Sequence, residues 1–402
     1  MKKILVIGPQ EVIPPVDGGR EGIHGALKAL AKIASVTYTY PRLDSCKKNQ
    51  KKYLEIGVIA APIFFKPREN ISLILKSLIQ FKPYKFMKYS TKEALYKFNM
   101  CHKKLKYDAI LCCHPHMFQV AKYLKKSNNW TCPIILREHN IEYDLVYGYA
   151  NSLSGFKKIA ALLLAKITKR EELNIWNEAD GVAFLTSTDF KTASDYNNSK
   201  TFFIAPEGIP ISEKQLDTNI DRNNDLLILL NKKATQSVLN VSHFLNTVWR
   251  HAYSLKEFSE ISIIITGITS DELSIACSIS REELAELKVK CVGFVESLDE
   301  VFATSLALIS PTYVGGGIRK KILEAMANFL PVIASPLDVR STNYFEGGIN
   351  ILEFDNVNEL KKAILLLSDK SFSNHLSISA RATVEAHANW DVFAKKIIDY
   401  VN

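Results

Sequence analysis

The sequence predicts an α/β chain built as two Rossmann-like, doubly wound parallel-sheet domains. Three observations lead there. At 402 residues the chain is too long for one ordinary core and suits two domains of about 200 residues each. In both halves, apolar runs of strand length alternate with amphipathic helical stretches, the pattern of parallel strands joined by helices on both faces. A polar break from Pro206 to Asp225 separates the two series.

The first series opens with KKILVIG as a buried strand. A helix from Gly22 to Ala34 follows, with Ile23, Leu27, Leu30 and Ile33 or Ala34 on one side. Further strands are expected at Ser35 to Tyr40, Asp108 to Cys113, Pro133 to Arg137 and Gly181 to Leu185. The second series restarts at Asp225 to Leu230 and continues through Ser262 to Thr266, Lys288 to Val292, Leu306 to Ser310 and Pro331 to Ala334. The stretch Ala380 to Asn402 reads as helical. Expected bounds are 1–206 for the first domain, 207–385 for the second and 386–402 for a helix crossing back to the first.

Composition narrows the class. Apolar residues make up 47% and charged residues 23%, so the chain is globular. No segment reaches the ~18 apolar residues of a membrane-spanning helix. The longest apolar candidates, Ile159 to Ala165 and Ile261 to Thr266, read as a core helix and a buried strand. Ile4 to Ile7 runs into Gly8 and Pro9 without a small-residue cleavage site, so the expected location is cytoplasmic. Seven cysteines, an odd number without regular spacing, do not form a disulfide framework and fit a reducing compartment. A zinc set drawn from Cys101, His102, Cys112, Cys113, His114 and His116 lacks a paired C-x-x-C knuckle, and alternation along a strand would part its members. Residues 1–200 hold 32 Lys and Arg against 17 Asp and Glu, a balance of +15, whereas residues 201–402 hold 19 against 25, a balance of −6. The two halves therefore face different partners.

The segment LALISPTYVGGGIRKKILEAMANFLPVIASP carries the most information. It runs buried strand, loop, three glycines, amphipathic helix and buried strand, which sets Gly315, Gly316 and Gly317 where a parallel sheet's carboxyl edge opens into a ligand crevice. Free amides at a helix start make an anion site. Arg319, Lys320 and Lys321 crowd the same first turn, where the helix dipole disfavours cations by about 0.3–1 kcal/mol each. A bound anion would offset that cost. Glu324 is placed either to pair with Lys320 or Lys321 along the helix or to accept hydrogen bonds from a ribose diol.

This segment resembles the donor-binding signature of the GT-B glycosyltransferases of family 4, in particular a subgroup reading G-G-G-x-R-x-K-I-L-E-A. The resemblance implies a GT-B fold, a nucleotide-sugar donor (a UDP- or GDP-sugar) and no separate cofactor. It assigns Gly316, Gly317, Arg319 and Lys321 to phosphates and Glu324 to the ribose. Two departures stand out. Many members carry a glutamate where this chain has Gly316, which removes one contact to the donor sugar. Asn328 and Phe329 replace the usual Cys-Gly before the next strand, and Asn328 is expected to take the left-handed turn that ends the helix.

The resemblance extends along most of the chain. Gly18 and Gly19 in PPVDGGREGIHGALKAL match the amino-terminal loop, APEGIP supplies Glu207 and Gly208 near the domain junction, and CVGFVESLDEVFATS sets Gly293, Phe294 and Val295 beside the nucleotide base. In AFLTSTDF, Ser187 and Asp189 read as helix caps. AILCCHPHM puts His114 and His116 at a strand end, and IILREHNIEYD ends another strand with Arg137, Glu138, His139 and Asn140, which resembles the subgroup's R-E-H-N element. Polar residues clustered there line a crevice rather than fill a core. His139 is the first candidate for contact with the reacting sugar, His116 the second, and Glu138 completes the catalytic set.

The expected chemistry is sugar transfer, with retention of configuration carried over from the family. The sequence has no D-x-D-like motif, and cations at the helix start would stabilise the leaving diphosphate, so transfer without a metal is expected. A saccharide or lipid-linked acceptor is anticipated, in the context of cell-surface polysaccharide. Lys66 to Lys106 interleaves lysines with Phe81, Tyr84, Phe86, Tyr89 and Phe98, the composition of a segment resting on an anionic inner-membrane surface. A nucleotide-sugar epimerase on the same fold and a degenerate transferase that binds without turnover remain alternatives. Nucleic acid is not an expected partner, since the second half is acidic and no basic-aromatic recognition motif is present.

Overall fold

A computed structural model describes the chain except residues 43–48, 66–75, 78, 152, 197–200, 212–221, 233 and 315–319. The chain divides into two compact units, Met1–Gly208 together with Trp390–Asn402, and Ile209–Asn389.

The first unit holds a seven-stranded parallel sheet of order β3-β2-β1-β4-β5-β6-β7. Its strands are β1 (Lys3–Ile7), β2 (Ser35–Arg42), β3 (Val58–Phe64), β4 (Ala109–Cys113), β5 (Ile134–Glu138), β6 (Gly181–Phe184) and β7 (Phe202–Ile204). The order reverses between β1 and β4, which opens a crevice beyond their carboxyl ends. Helix α1 (Gly18–Ala31) starts earlier than expected because Asp17 caps it, accepting from Arg20 N at 2.9 Å. After it come α2 (Lys92–His102), α3 (Phe118–Ser127), α4 (Glu142–Asn151), α5 (Gly155–Glu178) and α6 (Ser187–Tyr196). Alternation along each strand sends side chains into two separate cores. Cys112 and Leu136 join the layer of Phe118 and Trp176, whereas Cys113 and Ile135 join that of Ile23, Leu27 and Phe393.

Two expectations in this unit fail. Ile159 to Ala165 is helical but is no core element, because Phe156, Ile159 and Leu163 of α5 are 85%, 65% and 54% exposed. The cap of α6 is Thr186, whose hydroxyl accepts from Asp189 N at 2.8 Å, rather than Ser187 or Asp189.

The second unit holds a six-stranded parallel sheet of order β10-β9-β8-β11-β12-β13. These strands are β8 (Asp225–Leu229), β9 (Ser262–Thr266), β10 (Val289–Gly293), β11 (Ala307–Ser310), β12 (Val332–Ala334) and β13 (Leu352–Glu353). Here the reversal falls between β8 and β11. The helices that matter are α7 (Thr235–Phe244), α8 (Ser270–Cys277), α9 (Lys320–Ala327), α10 (Val357–Leu367) and α11 (Lys370–His387). The stretch from Ala380 to Asn402, expected to be helical, spans parts of two helices. α11 stops at His387, the Ala388 carbonyl accepts from Ile209 N at 3.0 Å, and a separate terminal helix, Trp390–Val401, packs on α1 within the first unit.

Candidate functional site

The carboxyl edge of the second sheet is organised around β11. Past its end, Asn240 on α7 accepts from the amides of Tyr313 and Val314, both at 3.1 Å, and donates to the Val314 carbonyl at 3.0 Å. One side chain thus satisfies three backbone groups and fixes the strand exit that leads to the glycines. The Ser310 hydroxyl donates to Asp338 at 2.6 Å and the Ser335 hydroxyl to the Thr312 carbonyl at 2.7 Å, tying the ends of β11 and β12 together in buried surroundings. Gly315, Gly316, Gly317 and Arg319 lie outside the described residues. Lys320 and Lys321 open α9 and stand half-buried, as does Glu324 one turn on, while Ile322, Leu323, Ala325 and Met326 are buried on its other side. At the edge of β10, Gly293 takes a positive φ of 68° and its carbonyl accepts from Gly267 N at 2.6 Å. Phe294 follows, 86% exposed.

The far end of α9 corrects the expectation for Asn328. Phe329, not Asn328, takes the left-handed conformation, with φ 57°. Leu330 N donates to Ala325 O at 2.9 Å and Phe329 N to Met326 O at 3.1 Å, the paired bonds of a Schellman ending. A bulky residue there costs about 1–2 kcal/mol. Two arginines offset it. The Arg381 guanidinium lies 5.1 Å from the Phe329 ring and donates to the Ala327 carbonyl, and Arg222 donates to the Phe329 carbonyl at 2.8 Å. Asn328 instead turns its amide back to the Glu324 carbonyl at 2.9 Å.

The first sheet's carboxyl edge gathers a different set. Four rings stack in sequence: Tyr89 on His116 at 5.3 Å, His116 on His114 at 5.0 Å, and His114 on His139 at 4.2 Å. His114 has φ 79°, a strained backbone where β4 turns into Pro115–Met117. Burial, with Lys85 and Arg137 nearby, pushes the His114 ring down to about 3. Burial likewise holds His116 well below the usual imidazole range, with help from His114, Lys85 and Lys88. Both rings are therefore neutral at physiological pH and suited to hydrogen bonding with hydroxyl groups. The buried Nδ1 of His116 has no partner among the described residues.

Arg137 underlies this stack. It is fully buried, with its guanidinium 5.3 Å from the Phe393 ring and 5.9 Å from the Trp390 ring, and Glu207 Oε1 stands 3.8 Å from Nη2. Its Nη1 meets Nε2 of His139. A guanidinium has donors only, so Nε2 must accept and the His139 proton sits on Nδ1. Gly22 of α1 lets Glu207 and His139 approach, because a Cβ there would fall 2.1 Å from Glu207 Oε1 and 3.3 Å from His139 Cε1. His139, His116 and Glu207 are thus brought to one edge. Gly18 and Gly19 form the first turn of α1, and Gly208 is buried next to Glu207 in sequence.

Glu138 goes elsewhere. As a neighbour of Arg137 on β5 it points into the opposite layer, where Oε2 accepts from Trp176 Nε1 at 3.0 Å. Burial, reinforced by Glu172, raises its carboxyl well above the usual range. Glu172 accepts from Glu142 N at 2.6 Å and Tyr143 N at 3.1 Å at the start of α4, but burial outweighs these two bonds and pushes its carboxyl up to about 8, so the pair is held short of two charges. His114, His116 and Glu142 have ligand atoms within 4.8 Å of one another, but both Glu142 oxygens already hold the Lys85 ammonium, at 2.9 and 2.8 Å. A cation would have to displace that lysine. Cys112 and Cys113 are divided between the two layers, and His102 bonds Tyr107 at 3.0 Å. The contacts of Asn240, Lys85 and Gly22 carried no signal in the sequence, since each partner lies far along the chain.

Residues 235–370 match the family described as Glycosyl transferases group 1. A Klebsiella pneumoniae protein described as an uncharacterized 44.6 kDa protein in the cps region is 24% identical over 413 residues, covering 100% of this chain and 99% of that one. HepE of Anabaena, solved with UDP and glucose, shares 14% identity at a TM-score of 0.63, with 99% of each chain covered. The lipopolysaccharide outer core galactosyltransferase WaaB shares 15% identity at a TM-score of 0.61, again with 99% of each chain covered. The fold is GT-B.

Proposed function

We propose that this glycosyltransferase moves a sugar from a UDP- or GDP-sugar to a saccharide or lipid-linked acceptor during assembly of a cell-surface polysaccharide. One observation carries the reading of the donor end. In the part of the chain that matches the transferase family, Asn240 locks the strand exit at Tyr313 and Val314, and α9 then opens with Lys320 and Lys321 at the sheet's carboxyl edge. The solved relative HepE holds UDP and glucose, and the Klebsiella relative is described by its cps region.

In this reading the cations and amides at the start of α9 take up charge as the nucleoside diphosphate leaves. Glu324 holds the ribose and Phe294 borders the base. On the first unit, His139 presents its Nδ1 hydrogen to a sugar hydroxyl, with Arg137 and Glu207 fixing the ring. Neutral His114 and His116 extend that surface without repelling cations. Retention of configuration and independence from metal belong to the same proposal, the latter motivated by lysines standing where a divalent ion would neutralise diphosphate.

The test is release of nucleoside diphosphate from a panel of UDP- and GDP-sugars, with and without saccharide and lipid-linked acceptors, in the presence of EDTA. Acceptor-dependent release from one donor is expected. Failure of every nucleotide-sugar to bind would overturn the reading, and activity restored only by added magnesium or manganese would overturn its metal-independent part.

A further inference from the structure

We propose that the first unit docks on an anionic bilayer through the outward face of α5, joined by the loop of Ile79 and Phe81. This deepens the lipid-linked part of the function proposed above and rests on it only for its biological purpose.

The opening turns of α5 invert the usual arrangement of a surface helix. Phe156, Ile159 and Leu163 recur at helical spacing on one stripe and are all exposed, with Leu164 beside them at 43%. The helix's buried contacts come from the other side, through Ala165, Thr168 and Glu172. Lys157 and Lys166 flank the apolar stripe, and no acidic residue occurs from Gly155 to Arg170. A helix with bulky apolar residues outward and lysines at its margins matches one lying in the headgroup region.

A second segment reaches the same surface. Arg170 donates to the Phe81 carbonyl at 2.6 Å, and Lys82 pairs with Glu171 at 3.4 Å. These contacts hold Ile79 and Phe81, 78% and 55% exposed, next to α5. The Lys82 ammonium is taken up by Glu171 and that of Lys85 by Glu142, so this segment adds apolar side chains to the face and Lys157 and Lys166 supply its charge. Residues 66–75 of the stretch are outside the described residues.

Charge selects the occupant. A second copy meeting this face about a two-fold axis would bring the same lysine-flanked helix, with no carboxylate between Gly155 and Arg170 to receive Lys157 and Lys166. Anionic headgroups answer the lysines, and acyl chains accept Phe156, Ile159 and Leu163, which have no hydrogen-bonding groups.

The experiment is co-sedimentation of the full chain with vesicles of phosphatidylcholine alone and with added phosphatidylglycerol, at low and physiological salt. Wild type should bind the anionic vesicles at least tenfold more than the neutral ones. The double variant Ile159→Glu, Leu163→Glu should lose at least tenfold of that binding, with its melting temperature and nucleoside diphosphate affinity unchanged because both side chains are exposed. Lys157→Glu with Lys166→Glu should lose anionic selectivity. Equal binding of wild type to both vesicles, or full binding by the Ile159 and Leu163 variant, would overturn the proposal. So would a wild-type dimer in sedimentation velocity that this variant dissociates. Vesicle binding is read without turnover, so its failure leaves sugar transfer standing, and a lost nucleotide affinity points to the transfer reading instead.

Discussion

Gly22 and Glu207 meet so closely that α1 has no room for a side chain at that point: a Cβ on Gly22 would stand 2.1 Å from the Glu207 carboxylate. Elsewhere in a helix, alanine in place of glycine adds about 1 kcal/mol of stability. Gly22→Ala should therefore leave the fold close to wild type in melting temperature, yet move Glu207 and with it Arg137 and His139. A fall in kcat/KM of tenfold or more is expected from steady-state kinetics. Unchanged kinetics would show that the Glu207 and His139 positions do not matter to turnover.

Asn240→Ala removes the partner of two amides and one carbonyl at the exit of β11. Unsatisfied groups of this kind cost about 1–3 kcal/mol. Denaturant unfolding should register that loss, and calorimetry should register weaker binding of nucleoside diphosphate because the exit of β11 at Tyr313 and Val314 is no longer anchored. Asn240→Asp retains the acceptor for both amides and should recover most of the affinity.

At the start of α9, Lys321→Ala should leave the unliganded protein as stable or slightly more stable, since a cation is removed from the positive end of the helix dipole. Nucleoside diphosphate and pyrophosphate affinities should both fall, by about 1.5–3 kcal/mol for a charge-assisted contact. Glu324→Gln should weaken nucleoside diphosphate alone, because its proposed partner is the ribose. Calorimetric titration of both ligands into both variants separates these outcomes from helical salt bridging, which predicts a small stability loss and no ligand selectivity.

Neutral His114 and His116 make the protein acid-sensitive. Their folded values lie below the ordinary 6.5, so the unfolded chain binds more protons as pH falls below 6.5, and stability is present above that value and lost beneath it. Each ring contributes a slope of up to about 1.4 kcal/mol per pH unit. Denaturant melts at pH 7.5, 6 and 5 should show the decline, and His116→Asn should flatten it.

Glu138 works in the opposite direction. Its carboxyl is raised in the fold, so the native state holds the extra proton and this contribution is lost as pH rises. Glu138→Gln keeps an acceptor for Trp176 Nε1 and has no charge to bury. It should gain stability relative to wild type at pH 8 and little at pH 5, and comparable gains at both would disprove the assignment of the proton.

The parallel strands were legible because apolar runs buried on both faces leave few alternatives. Ser262 to Thr266 was read residue for residue, and β4 and β5 to within one position. β3 escaped as an edge strand with exposed and half-buried positions, while β7 and β13, at three and two residues, are too short to show a period. Ile159 to Ala165 was misread because apolar content says that water is unfavourable without saying what replaces it. At the candidate site, His139 and His116 were visible from their place at strand ends. Glu138 had the same visibility, yet strand alternation turns it toward Trp176.

The terminal helix also bears on how the chain is made. Phe393, Ala394 and Ile397 fill the core that lies on α1, a Cβ on Gly25 would collide with Trp390, and one on Gly181 would collide with Tyr400. Residues 390–402 leave the ribosome after the whole of Ile209–Asn389, although they complete the unit that holds β1. The first sheet must therefore wait, with its α1 layer uncovered on one side, while nearly two hundred further residues are synthesised. A nascent chain stalled or a message cut short before Trp390 would release a first unit with an open apolar face, a substrate for chaperones and proteases rather than a functional fragment.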